Sequence, residues 1–69
     1  MSKAPYPPYP RFGLDQRVHH IKSEGSIGIV LDIQYNYRGK YHTYLVCFDH
    51  LVSPLWYYES ELSDKVAFN

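Results

Sequence analysis

Four short apolar runs lie between Gln16 and Leu62, and each run ends at a turn-forming segment. A period of two residues is typical of half-buried β-strands. The pattern predicts strands at residues 16–22, 27–35, 41–49 and 55–58, a single helical turn at 59–62, and a closing strand at 65–68 that pairs with the first. Short strands joined by turns indicate an all-β chain.

The apolar face of the second predicted strand contains Ile27, Ile29, Leu31, Ile33 and Tyr35. These residues are two apart, so they share one side of a regular strand.

In the third predicted strand, Tyr44, Val46 and Phe48 share one face, while Leu45 and Cys47 lie on the other, so both faces are expected to be covered. Gly28 predicts a bulge or a close backbone approach in the second strand. Turns are predicted at 23–26 and 50–54, and a hairpin connection ending in glycine at 36–39.

Five short strands with a helical turn before the last are the pattern of a small five-stranded SH3-like barrel, here at residues 11–69. A five-stranded OB-like barrel is the alternative architecture, but the strands are short for it. Residues 1–10 form a separate Pro/Tyr-rich arm, with four prolines and two tyrosines in residues 4–10. Such a segment favours extended polyproline geometry. It is interpreted either as a docking arm or as a frayed, disordered leader.

Composition narrows the class of partner. The seven basic residues equal the seven acidic ones in a chain of 69 residues, which argues against generic duplex DNA binding. Neither a signal peptide nor a membrane-spanning stretch is visible, so a cytoplasmic protein without membrane contact is expected.

The histidine, cysteine and serine residues do not form a catalytic or metal-binding set. His19 and His20 are adjacent and point to opposite sides of a strand, so they cannot share a metal. His20 is expected to be a half-buried, hydrogen-bonded core residue, and Cys47 a small buried one. No glycine-framed serine or phosphate-binding loop is present in the sequence. A protein that is not an enzyme and needs no cofactor is predicted.

Aromatic residues provide the candidate binding site. They concentrate around the predicted hairpin and the fourth strand, where Arg38 and Lys40 add positive charge. Tyrosine and tryptophan suit recognition surfaces, and interleaved basic residues can also contact nucleic acid. The alternative is that several rings fill the core or an interface between subunits. The predicted site consists of Tyr35, Tyr37, Arg38, Lys40, Tyr41, Trp56, Tyr57 and Tyr58.

Several segments carry a family likeness: Arg-Phe-Gly at 11–13, Gln-Arg-Val-His-His at 16–20, Gly-Ile-Val-Leu-Asp-Ile at 28–33 and Tyr-Glu-Ser-Glu-Leu-Ser-Asp at 58–64. They resemble the heat-shock protein Q family, also called the hemimethylated-DNA-binding domain. That resemblance implies a non-enzymatic protein of DNA binding or protein quality control. The family's long acidic insertion between the second and third strands is replaced here by a tight turn at 36–40.

A second likeness is to the type II dihydrofolate reductases, oligomeric SH3-like barrels of about this length. Where that family has Val-Gln-Ile-Tyr, residues 54–57 read Pro-Leu-Trp-Tyr, so only Tyr57 matches. The sequence therefore favours a small protein-binding or self-associating module, such as an adaptor or an oligomer. A nucleic-acid-binding protein is the alternative, and an oligomeric reductase ranks behind both.

Overall fold

A computed structural model describes residues 9–64, and these residues form one antiparallel sheet. The chain runs through β1 (Arg17–His20), β2 (Ser23–Asn36), β3 (Tyr41–Phe48) and β4 (Leu55–Tyr58), then through a 3-10 turn at Glu59–Glu61 into β5 (Leu62–Ser63). The spatial order is β4-β3-β2-β1-β5, so β4 and β5 lie at the two edges. The predicted all-β class is confirmed, and β1 to β4 correspond to predicted strands, whereas β5 was not predicted and begins at Leu62, inside the predicted helical turn. The predicted closing strand at 65–68 lies outside the described residues.

The core lies on one face of this sheet. Tyr44, Val46 and Phe48 of β3, which were predicted to share a face, all point into it. Phe12 enters from the segment before β1 and packs edge-on against Tyr44, with ring centroids 5.2 Å apart. The fully buried side chains are Phe12, Val18, Val30, Tyr44, Val46, Phe48 and Leu62.

The face prediction for the second strand is wrong. The register of β2 against β3 shifts between Val30 and Asp32, so that one extra residue, Leu31, interrupts the alternation. A bulge of this kind reverses which residues face the core beyond it. Val30 is buried and Leu31 is half-exposed, whereas Ile33 packs against the core.

The first turn also differs from the prediction. Residues 23–26 are already part of β2, and the reversal occurs at Ile21 and Lys22. The Lys22 N–H donates to Nδ1 of His20 over 3.1 Å, which satisfies this half-buried histidine. The composition of residues 23–26 predicts a turn, but Ser23 instead pairs with His20 in the β1–β2 ladder.

Gly28 shows the close approach that its position predicts. A Cβ atom there would lie 2.5 Å from Cγ1 of Val46 and 2.8 Å from Cδ1 of Phe48. Both side chains are fully buried, so β2 and β3 pack tightly at this point. Residues 9–64 contain no helix long and apolar enough to cross a membrane.

Candidate binding groove

The outer face of β2, β3 and β4 carries the candidate site. Because alternate residues of β3 enter the core, Thr43 and Leu45 point to the opposite side. Thr43 lies across from Gln34 in β2 and Tyr58 in β4, while Leu45 lies across from Trp56. The ladder therefore brings residues from three strands to one surface.

A groove of about 550 Å³ opens on this part of the sheet. Five of the eight predicted site residues line it, and three polar residues that the sequence reasoning missed complete its lining. The groove residues are Gln34, Tyr35, Asn36, Tyr41, Thr43, Trp56, Tyr57 and Tyr58.

Three half-exposed rings form the aromatic side of the groove. The exposed fractions of Tyr41, Trp56 and Tyr58 are 38%, 45% and 54%. Tyr41 and Tyr58 contact each other edge-on with ring centroids 5.4 Å apart. A Cβ atom at Gly39 would collide with the Tyr41 ring, so this ring also lies against the backbone of the hairpin turn. Tyr41 and Tyr58 are thus held in place, while the outer surfaces of all three rings stay accessible.

The polar part of the groove consists of Gln34, Asn36 and Thr43. Asn36 is committed to the turn, because its Oδ1 accepts the Gly39 N–H over 2.6 Å. The amide of Gln34 and the hydroxyl of Thr43 make no side-chain hydrogen bond within residues 9–64. Both groups can therefore donate to and accept from a ligand. Thr43 lies opposite Tyr58, and Gln34 lies opposite Thr43, so the signal that could have found both residues depends on strand register.

The other two tyrosines of the groove have a structural role as well. The Tyr57 ring packs edge-on against Phe48 at 5.3 Å and against His20 at 5.7 Å. Burial and the nearby Glu61 carboxylate raise the pKa of Tyr57. Tyr35 lies between His42 and Tyr37, at centroid distances of 4.8 Å and 4.9 Å. The predicted aromatic set is therefore divided between surface and packing roles.

The hairpin turn places the remaining predicted residues beside the groove rather than in it. Tyr37, Arg38 and Lys40 are all exposed. Lys40 adopts a left-handed backbone with φ of 60°, and its N–H donates to the Asn36 carbonyl over 2.7 Å.

A hydrogen-bonded group that the sequence does not reveal lies at the end of β4. The buried Tyr44 hydroxyl donates to Oε2 of Glu59 over 2.5 Å. The Arg11 N–H donates to the Tyr44 hydroxyl oxygen and to the same Glu59 Oε2, each over 3.0 Å. Burial and the Glu59 hydrogen bond raise the pKa of Tyr44 to about 12. The phenol thus stays protonated and keeps the segment before β1 attached to the end of β4.

The histidines do not assemble a metal site within the described part of the chain, where no group of three potential ligands occurs. His42 is buried, and among residues 9–64 its Nε2 has no hydrogen-bond partner. Cys47, expected to be buried, is a half-buried free thiol opposite Ile29. The difference arises because Cys47 lies on the outer face of β3.

Comparison of the chain with protein-family models, with curated proteins and with solved structures finds no match. The two resemblances drawn from sequence motifs therefore stay predictions.

Proposed function

We propose that this protein is a non-enzymatic binding module of the SH3-like barrel type, which holds an extended segment of a protein partner in the groove. The observation that carries this proposal is the placement of three half-exposed aromatic rings around two polar side chains that make no side-chain hydrogen bond within residues 9–64. Rings supply contact area at low entropic cost, and the Gln34 and Thr43 side chains supply hydrogen bonds.

An extended proline-rich peptide is the segment that fits such a surface. Polyproline helices have no internal hydrogen bonds and present all their carbonyl groups to the outside. Grooves lined by aromatic residues are a recurring binding mode for them. Gln34 and Thr43 are placed to donate to those carbonyls while Tyr41, Trp56 and Tyr58 contact the pyrrolidine rings.

The test uses calorimetric titration of the full-length chain with a synthetic decaproline peptide. We expect Tyr58→Ala to weaken binding at least tenfold, because central aromatic residues dominate such interfaces. Tyr37→Ala is the matched control: it removes the same side chain from a more exposed position outside the groove lining. Equal losses in both variants, or no decaproline binding by the unaltered chain, would contradict the proposal.

Nucleic acid is the alternative class of partner, favoured by the exposed Arg38 and Lys40 next to Tyr41. Binding to an oligothymidylate would weaken steeply between low and moderate salt, whereas binding to the uncharged decaproline would change little. Tight, salt-dependent oligothymidylate binding that is lost in Arg38→Ala/Lys40→Ala, without decaproline binding, would assign the function to nucleic acid instead.

A further inference from the structure

The outer edge of β4 contains one residue, Trp56, with neither backbone group paired in the described part of the chain. The Asp49 N–H donates to the Ile27 carbonyl, so the odd-numbered positions of β3 and its extension bond to β2. The even-numbered positions of β3 therefore bond to β4, where they lie opposite Leu55 and Tyr57. Because these directions alternate along a strand, the N–H and C=O of Trp56 point away from β3.

The residues on either side of Trp56 restrict how a further strand can pair with this edge. The Tyr58 N–H, which also points away from β3, already donates to Oε1 of Glu61 over 2.8 Å. On the other side, Pro54 has no N–H to donate. Trp56 is therefore the one position of the edge at which an added strand finds both a free donor and a free acceptor.

We infer that the edge of β4 pairs with the same edge of a second copy of this chain, around a two-fold axis at Trp56. In this antiparallel arrangement each Trp56 N–H donates to the Trp56 carbonyl of the other copy, so the two open groups of one copy match those of the other. Leu55 then lies opposite Tyr57 of the other copy. The interface is isologous and closes at two copies.

The charges along this edge are compatible with a second copy. Residues 51–58 contain no charged side chain, whereas natural edge strands are commonly protected from pairing by lysine or another charge. The carboxylates of Glu59 and Glu61 follow β4. Antiparallel pairing centred on Trp56 places them beside residues 51–53 of the other copy, which are uncharged. The acidic groups of the two copies therefore lie at opposite ends of the interface.

The area available at this edge is that of a weak, reversible dimer. About half of each of the Leu55, Trp56 and Tyr58 side chains is exposed, and Val52 is fully exposed. At about 150–250 Å² per aromatic side chain, Trp56 and Tyr58 together offer roughly 150–250 Å². If Val52, Leu55 and the strand backbone add as much again, two copies bury on the order of 800 Å², the size of a transient complex.

The inference goes beyond the proposed function and leaves the groove open. The two-fold axis runs perpendicular to the sheet, so the sheets of the two copies become continuous and both grooves open on the same side. Trp56 belongs to the groove lining, and its ring lies next to the Trp56 ring of the other copy on that side.

The test compares the full-length chain with Leu55→Lys by sedimentation equilibrium. A lysine on an edge strand disfavours strand pairing, and Leu55 does not line the groove. Leu14→Lys is the matched control, because it makes the same substitution at a similarly exposed leucine outside the strands. We expect the unaltered chain and the control to dimerise with a Kd on the order of 0.1 mM, and Leu55→Lys to dimerise at least about tenfold more weakly.

Amide hydrogen exchange identifies the edge that pairs. Protection of the Trp56 N–H should increase with protein concentration, whereas the Tyr58 N–H, bonded to Glu61 within the molecule, should change little. A chain that stays monomeric at about 1 mM would overturn the inference. A dimer whose Trp56 N–H exchanges as fast as in the monomer, or one that Leu55→Lys leaves unchanged, would overturn it as well. The proposed function is tested independently, because decaproline binding requires no second copy.

Discussion

At the residue scale, Gly28 determines how closely β2 and β3 approach. It lies opposite Phe48 in the ladder, and a methyl group there would meet Val46 and Phe48 at less than van der Waals distance. Both of those side chains are fully buried, so neither has free space into which it can turn. The absence of a side chain at this position is therefore a packing requirement.

We expect Gly28→Ala to lower the free energy of unfolding by about 1–3 kcal/mol, the usual cost of overpacking a core. Gly25→Ala is the matched control in the same strand, because a Cβ there has no atom within 4 Å. The control should stay within about 0.5 kcal/mol of the unaltered protein. Urea denaturation measures both. An unchanged midpoint for Gly28→Ala would show that the core has room for the methyl group.

At the element scale, the β2–β3 hairpin is the part that local sequence best predicts. Its turn follows from Asn36 and Gly39, which are joined by a side-chain hydrogen bond. Lys40, however, takes the left-handed conformation that glycine favours. Gly39 serves instead to admit the Tyr41 ring against the turn. The sequence predicts the turn but not which residue bears its strain.

Lys40→Gly should therefore raise the free energy of unfolding by about 0.5–1 kcal/mol, since a left-handed residue with a Cβ is disfavoured by ~1–2 kcal/mol and the added chain entropy offsets part of the gain. Arg38→Gly is the control. It also removes one positive charge from the turn, but the backbone φ of Arg38 is not positive. It should be neutral or destabilising. Thermal unfolding distinguishes the two, and a loss of stability in Lys40→Gly would contradict the account.

The bulge in β2 shows where element prediction fails. Strict alternation places the odd-numbered residues from Ile27 to Tyr35 on one face. The extra residue Leu31 transfers Ile33 to the core side. A bulge depends on how β2 pairs with β3, so its presence is a property of two strands and not of one. The same shift determines which side of β2 presents Gln34 to the groove.

At the scale of the whole molecule, the Tyr44 hydroxyl group joins distant parts of the chain. It contacts Glu59, which is 15 positions away, and Arg11, which is 33 positions away. These contacts attach the segment before β1 to the 3-10 turn after β4. A small sheet with two edges gains from such a connection because its core alone supplies little net stability.

The pKa of Tyr44 near 12 predicts how stability depends on alkaline pH. An unfolded tyrosine titrates near 10, so between about pH 10 and 12 the unfolded chain has lost this proton and the folded one retains it. The free energy of unfolding should therefore fall as pH rises through this window, by up to about 1.4 kcal/mol per pH unit.

Tyr44→Phe provides the control for this pH dependence. It should lose about 1–2 kcal/mol at pH 7, because it removes a hydrogen bond to a carboxylate, and it should show a shallower fall above pH 10. Denaturant titrations at pH 7, 10 and 11 measure both effects. The same pH slope in both proteins would assign the alkaline sensitivity to other groups.

The sequence by itself determined the all-β class, the approximate positions of β1 to β4, and which residues of β3 share a face. These features follow from local alternation and turn composition, which act over a few neighbouring residues. Only the tertiary structure decided the reversal of faces in β2, the contact of Tyr44 with Glu59, and which aromatic rings line the groove. Those features depend on strand register, because a shift of one residue exchanges the two faces of a strand.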